Sequence, residues 1–459
     1  MNKYYIIVSL IVFVTSLSMC NKAELFLENG YDERLSGGAA TVFDATSHAF
    51  GNAMNGLTER DARVHELGDQ TFSQTFVVPP SPIFTGLGPV FNNVSCVNCH
   101  RNDGEGIPTA GFSNSGLLVR LSLPGMDAKG GPLAVPGFGT QLQDQAVAGA
   151  QPEAKVNISY SDSSVVYPDG TMVKLIKPDY TIQNPYTTLP ANCMFSPRLA
   201  PPLIGMGLLE NIPERTILSF VDAGDKNGDG ITGKANYVYD EYTKKTVLGR
   251  FGLKANTSTL SLQVATAYQQ DMGITSYVQK TESADGQPQM DVVHGDVQPE
   301  LTDSLLNYVV FYVKTLGVPA RRNVTNADVK AGSILFDQIN CSGCHRPTLQ
   351  TGINLTLSQI SNQRIHPYTD LLVHDMGPGL ADDRPDFLAS GNEWRTAPLW
   401  GRGLLDLVNG TPYFLHDGRA RSFEEAILWH GGEAEKSKQK FMQLSSEQRN
   451  QLMKFLESL

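Results

Sequence analysis

The chain is poor in cysteine, with six among 459 residues. That is far too few for a disulfide-built scaffold, so each cysteine calls for its own explanation. Charge is also sparse, at 18% of residues, and the formal balance is −11. A chain with that balance lacks the basic surface that nucleic acid or an anionic membrane surface requires. Long apolar runs are missing beyond the start, where Ile6 to Leu17 is too short for a comfortable membrane span. Tryptophan is scarce as well: Trp394, Trp400 and Trp429 are the only three, all near the C-terminus. Glycine and proline are abundant instead, 43 and 26, which predicts loop through much of the middle. The length suggests two or three domains.

Four of the six cysteines fall in one repeated pattern. Cys96-Val97-Asn98-Cys99-His100 reads C-x-x-C-H, and Cys341-Ser342-Gly343-Cys344-His345 repeats it. A single copy could serve zinc, a thiol redox pair or a disulfide. Two copies in so cysteine-poor a chain point to two covalent c-type haems. Thiols three positions apart can each add to one porphyrin vinyl group, and the adjacent imidazole then ligates the iron from below. Residues 1–20 form a targeting segment, with Lys3 as its positive end. Leu17-Ser18-Met19-Cys20 resembles a lipoprotein signal with Cys20 as the lipidated residue, although Met19 stands where a small residue is usual. An exported protein on the periplasmic side, lipid-anchored to a bacterial membrane, is the expectation; an uncleaved membrane anchor is the alternative. Cys193 is left over and reads as a buried, inert thiol.

A distant repeat divides the chain. Leu301–Leu316 and Leu444–Leu459 each begin with Leu-Thr or Leu-Ser and continue with apolar residues at helical spacing, and each follows one C-x-x-C-H. Residues 326–340 read as an opening helix, and residues 318–322 as a linker. We therefore expect a mainly α fold of two cytochrome c-like units, 21–325 and 326–459, the first with a long loop-rich insertion. The insertion contains Asp225-Lys226-Asn227-Gly228-Asp229-Gly230-Ile231, whose oxygen ligands at alternate positions suit calcium at Asp225, Asn227, Asp229 and the carbonyl of Ile231. Asn236 stands where an EF-hand places its bidentate Glu, and an Asx-rich turn without metal is the alternative.

Several longer segments carry a resemblance. They are Leu87–Phe91, Ala200–Glu210, Leu248–Gly252, Asp271–Thr275, His374–Pro378 and Pro412–Ala420. Together with the two haem motifs they resemble the di-haem oxidoreductase family, sometimes labelled thiol oxidoreductases and related to bacterial di-haem cytochrome c peroxidases. The resemblance implies that the first haem meets hydrogen peroxide or another oxidant, while the second takes electrons from a redox-protein donor. The first iron then needs an openable sixth position, and the second needs two firm ligands. In the related peroxidases the second axial ligand follows the His of an H-D-G motif by fourteen positions. Counted from His416 that position is His430, with Met376 as runner-up. The relatives place a Gln and a Glu ten residues apart above the first iron, a spacing met here by Gln143 and Glu153 as a catalytic proton shuttle. His48 or His65 could cap that iron at rest, and Arg395 could pair with a haem propionate. An electron-transfer di-haem cytochrome without peroxidase activity is the alternative function, and a thiol oxidase resting on Cys193 a weaker one.

Overall fold

Five long helices, each with a side-chain N-cap, form the frame. In the computed structural model, which describes residues 27–28, 31–293 and 299–459, helix α1 spans Glu59–Phe72 and starts where the Thr58 hydroxyl accepts the Asp61 N–H. Helix α2 spans Leu260–Met272, capped by Thr259 and closed by left-handed Gly273. Helix α3, Asp303–Thr315, is capped by Thr302. Helix α4, Ala327–Gln338, is capped by Asn326. Helix α5 is a short segment, Phe423–Trp429, and α6 spans Ser446–Ser458 behind a complete Ser445/Gln448 capping box. The expected targeting segment and Cys20 lie outside the described residues. No helix among the described residues is long and apolar enough to cross a membrane.

The helices pack as two equivalent pairs. Helix α1 crosses α3 at Gly68, where an added methyl would overlap the Tyr308 carbonyl oxygen. Helix α4 crosses α6 at Gly332, where it would overlap the Gln451 carbonyl oxygen. Both crossings need backbone-to-backbone approach, so both need glycine. Each pair holds an opening and a closing helix around one C-x-x-C-H segment, which is the structural form of the repeat.

The rest corrects the mainly α expectation. Only 29% of the chain is helical, and 20% is strand distributed over several small sheets. The insertion supplies most of that strand. Strand β1 (Leu117–Met126) is the hub of a sheet. It pairs antiparallel with β6 (Met194–Leu199), β2 (Pro132–Leu133) and β3 (Gln141–Leu142). Strands β4 (Lys155–Val166) and β5 (Met172–Gln183) form a separate twelve-pair hairpin. The abundant Gly and Pro do not keep this region from forming strands, and Pro124, Pro178 and Pro197 lie inside them. The alternation that makes strands is visible only locally, as in Lys-Val-Asn-Ile at the start of β4. Val318–Pro319, read as linker, pairs in parallel with Thr41–Val42 and so ties the chain's start to the junction.

One buried cluster runs from Ala40 through Leu208, Tyr268 and Tyr312 to Leu405 and Ala426. A second joins Val329, Phe336, Phe441, Leu452 and Phe455, and takes in Tyr167 and Leu175 from the hairpin. The hairpin thus belongs to the packing of the C-terminal unit.

Because the α4–α6 crossing has no room for a side chain, Gly332→Ala should lower stability by about 1–3 kcal/mol, the range for overpacking a tight contact. Gly224, which has nothing within 4 Å of an added methyl, is the control, and Gly224→Ala should change stability by less than about 0.5 kcal/mol. Denaturant unfolding followed by far-UV circular dichroism checks both. Equal midpoints for the two variants would refute the crossing.

Candidate haem sites

Each C-x-x-C-H segment makes one tight turn whose His N–H returns to the first Cys carbonyl, at 2.9 Å for His100 to Cys96 and 3.0 Å for His345 to Cys341. The turn brings both sulfurs and the imidazole to one side. In the second motif the turn is entered through Asn340 at φ 69°, a left-handed conformation that Asn tolerates. Both turns open onto an interior cavity. The first, of about 400 Å³, is lined by Cys96, Cys99 and His100. The second, of about 210 Å³, is lined by Cys341, Cys344 and His345.

The imidazoles are fixed in the same way. His100 donates Nδ1–H to the Pro201 carbonyl at 2.8 Å, and His345 donates to that of Tyr368 at 3.0 Å. A carbonyl only accepts, so Nδ1 carries the proton and Nε2 is left as a free lone pair. Burial lowers both imidazoles to about 4, which keeps them neutral. Burial pushes the thiols of Cys96 and Cys341 up to about 12, and those of Cys99 and Cys344 up as well. A thiol redox pair needs a depressed pKa, so these cysteines do not suit that chemistry.

His430 has the same geometry as the two motif histidines. It ends α5, lines the second cavity, and donates Nδ1–H to the Ala426 carbonyl at 2.7 Å. Burial lowers it too. His345 and His430 therefore bring two neutral, pinned imidazoles to one cavity. Met376 lines the same cavity. The other two histidines there are engaged elsewhere. His374 bonds Asp370 through Nε2 at 2.9 Å and Glu433 through Nδ1 at 2.8 Å. Burial opposes its charge, but those carboxylates raise it well above the usual range, so it is a cation without a lone pair to offer. His416 stacks flat on Trp394 at 3.9 Å.

In the first cavity, His100 is the one imidazole among the lining residues. His65 packs against Tyr312 and bonds Thr315 at 2.7 Å, outside the lining. His48 is exposed. Gln143 and Glu153 do meet: the Gln143 N–H donates to Glu153 Oε2 at 2.7 Å, and Gln287 donates to Oε1 at 2.6 Å. Glu153 is fully buried, and burial pushes it up to about 8. Neither residue is in the cavity lining. Gln143 reaches it one step removed, donating Nε2–H to the carbonyl of Gln270 at 2.9 Å. Gln270 lines the cavity and accepts from Arg120. Sequence reasoning passed over Arg120, Arg198 and Arg384, which all line this cavity. The alternation of Leu118 and Arg120 against Val119 and Leu121 was the signal available.

The two cavities share a wall of Leu199, Pro201, Leu253, Arg395, Ala397 and Arg402. Arg402 donates to Glu105 at 2.6 Å, whereas Arg395 donates only to carbonyls, Gly252 at 2.9 Å and Thr396 at 3.4 Å. An arginine without a carboxylate, at the boundary of the two cavities, suits propionates. The residues present thus fit haem in both cavities: paired thiols, a pinned imidazole, apolar walls and guanidinium groups at the boundary.

The Asp225–Ile231 loop abuts the second cavity. Ile231 lines it, and its side chain fills the space beside Gly343. Within the loop Asp225 Oδ1 accepts the Gly230 N–H at 3.0 Å, Asn227 Oδ1 that of Asp229 at 2.9 Å, and Asp229 Oδ1 that of Ile231 at 2.8 Å. Among the described residues no three His, Cys, Asp or Glu side chains converge as a metal-binding group.

A family model described as "Di-haem oxidoreductase, putative peroxidase" matches residues 31–459. No curated protein matches the chain. Among solved structures, a chain of Kuenenia stuttgartiensis hydrazine synthase, pressurised with 20 bar xenon, is 16% identical over 35% of this chain and 57% of that one, with a TM-score of 0.23. That likeness is too slight to bear on the fold. With nearly its whole length matched, the chain belongs to the di-haem oxidoreductase family.

Proposed function

We propose that this protein is an exported peroxidase-type oxidoreductase with two covalent c-type haems, in which the C-terminal haem passes electrons to an oxidant-reactive N-terminal haem. The observation that carries the reading is the asymmetry of the two cavities. The second offers two pinned neutral imidazoles, His345 and His430, and the first offers one, His100, with Met206 and Met272 as thioethers on its lining. Two firm ligands suit electron transfer with little rearrangement, and a free position suits binding of an oxidant such as hydrogen peroxide. Haem supplies the redox-active iron in both places. The chain's own residues do the rest. Ala426, Tyr368 and Pro201 hold the imidazoles, Arg395 would receive a propionate, and the apolar walls exclude water.

Glu153 and Gln143 have a positioning role in this reading. They brace Gln270, which in turn holds Arg120 on the cavity wall. Calcium belongs to the same proposal, held by Asp225, Asn227, Asp229 and the Ile231 carbonyl. Its support is the alternation of oxygen acceptors in a loop that packs against the second haem motif. A lipid on Cys20 would keep the protein at a membrane, within reach of a redox-protein donor.

The function is tested first on the matured protein. A pyridine haemochrome assay should give two haems per chain, and EPR should show one site that reacts with peroxide and one that does not. His430→Met should raise the potential of the second haem and leave the first nearly unchanged, since Met ligation raises haem potentials. If neither potential moves, His430 is not a ligand. No reaction with peroxide in any redox state would make the protein an electron-transfer cytochrome.

Glu153→Gln should lower peroxide turnover by roughly 10–100-fold, the usual weight of a group one layer behind the reacting centre, with haem content unchanged. Full turnover in that variant would remove Glu153 from the site. Replacing Asp225 and Asp229 together by Asn should abolish calcium binding measured by atomic emission. A calcium content equal to that of the wild type would end the metal proposal.

A further inference from the structure

The first cavity contains a set of charges that the proposed function leaves unused. Strand β1 turns Leu118 and Arg120 towards the cavity and Val119 and Leu121 into the core with Phe138 and Leu142. In the β1–β6 ladder Ser196 stands opposite Arg120, and Arg198 stands opposite Leu118, so Arg198 shares the cavity face. Arg384, only 1% exposed, joins them from a distant segment.

The carboxylates nearby do not match these cations. Asp386 is shared, accepting from Arg198 and, at 2.9 Å, from Arg384 Nη1. Asp382 serves buried Lys254 at 2.7 Å. Asp271 accepts from Gln141 at 2.7 Å and also lies close enough to favour the charge on Arg120. Four cations thus face three carboxylates. Glu241, at the edge of the cavity, already pairs with Lys129 and Lys244. The Nε–H groups of Arg120 and Arg384 are both buried without a hydrogen-bond partner. Unmatched charge and unmade hydrogen bonds in a desolvated place are unfavourable, and an anion would relieve both.

A haem propionate does not fit this role at Arg120. Asp271 acts on Cys96 and Cys99 as well as on Arg120, so Arg120 belongs to the cysteine side of the cavity. The propionates leave a porphyrin from the edge opposite its vinyl groups. Arg395, on the wall between the cavities, suits them.

We propose that Arg120 and Arg384 form a subsite for one small monovalent anion inside the first cavity, of the size and charge of formate, nitrite or hydroperoxide. The inference builds on haem in that cavity but does not depend on peroxide as the oxidant. Gln270 holds Arg120 through its side-chain oxygen and Asp386 holds Arg384, so each guanidinium is fixed at Nη1 while its Nε–H is left without a partner.

The test is calorimetric titration of the matured two-haem protein with formate, alongside its optical spectrum. The wild type should bind one formate per chain, and Arg120→Gln should weaken that binding about tenfold or more, as loss of a charge-assisted hydrogen bond does. Arg120→Lys keeps the charge without the fork and should fall between the two. Both variants are at Arg120 because Arg384 is bound into the Asp386 pair and its loss would disturb the fold. The potential of the second haem should stay the same throughout. Equal formate affinity in the wild type and Arg120→Gln, or no binding in the wild type, would overturn the subsite. Formate binding that depends on Arg120 in a protein inert to peroxide would uphold the subsite and overturn the peroxidase reading.

Discussion

A buried imidazole presents a fixed lone pair when a neighbour holds the proton on its other nitrogen, and both cavities are arranged that way. His100, His345 and His430 each give the Nδ1 proton to a backbone carbonyl, those of Pro201, Tyr368 and Ala426. A carbonyl cannot give a proton back, so the tautomer is set and Nε2 stays available. Burial acts in the same direction by disfavouring the charged ring. This gives a physical reason for segments that otherwise look unremarkable. Ala200-Pro201-Pro202 delivers a carbonyl at a point where proline has no N–H to compete. Tyr368, at φ 54°, lies in the left-handed region where its carbonyl meets His345. His374 shows the opposite case. With carboxylates on both nitrogens it is a cation, and it braces Glu433 and Asp370 instead of facing a metal.

The chemistry was more legible in the sequence than the architecture was. The C-x-x-C-H turns and the capped helices rest on interactions within a few residues, and local pattern records those well. His430 lies fourteen positions after His416, and both line the second cavity, a placement that a count along the chain could suggest but not decide. The strand content did not emerge, since many ladders here are two residues long and their partners lie far off in the chain, as Thr41–Val42 lies from Val318–Pro319. Glu153 and Gln143 show a subtler limit. Their ten-residue spacing does correspond to a contact, yet spacing cannot tell which face of the wall they occupy. Arg120 and Arg384, 264 positions apart, could be brought together only by the fold.

The insertion does more than lengthen the first unit. The tip of the β4–β5 hairpin carries Tyr167, whose ring packs on Phe441 and lies under the Arg449 guanidinium at 3.9 Å, while its hydroxyl donates to Glu424 at 2.8 Å. Arg449 also reaches Asp169 on the same tip at 2.6 Å. Lower on the arm, Tyr180 donates to Asp417 at 3.4 Å. Asp417 pairs with Arg419 and sits beside His416, which lines the second cavity. An element of the N-terminal half is thus part of the core of the C-terminal half.

That exchange bears on how the two haem sites could communicate. Leu199, at the end of β6, lines both cavities, and its N–H donates to the carbonyl of His416 at 2.7 Å. Three positions earlier on the same strand, Ser196 stands opposite Arg120 in the first cavity. A shift of β6 along its ladder would therefore move the wall of one cavity and a backbone contact of the other together. Side chains in a sheet of fixed register cannot slide independently, because a one-residue slip would turn every side chain to the other face. The shared strand is thus stiff, and it holds the spacing between the two cavities.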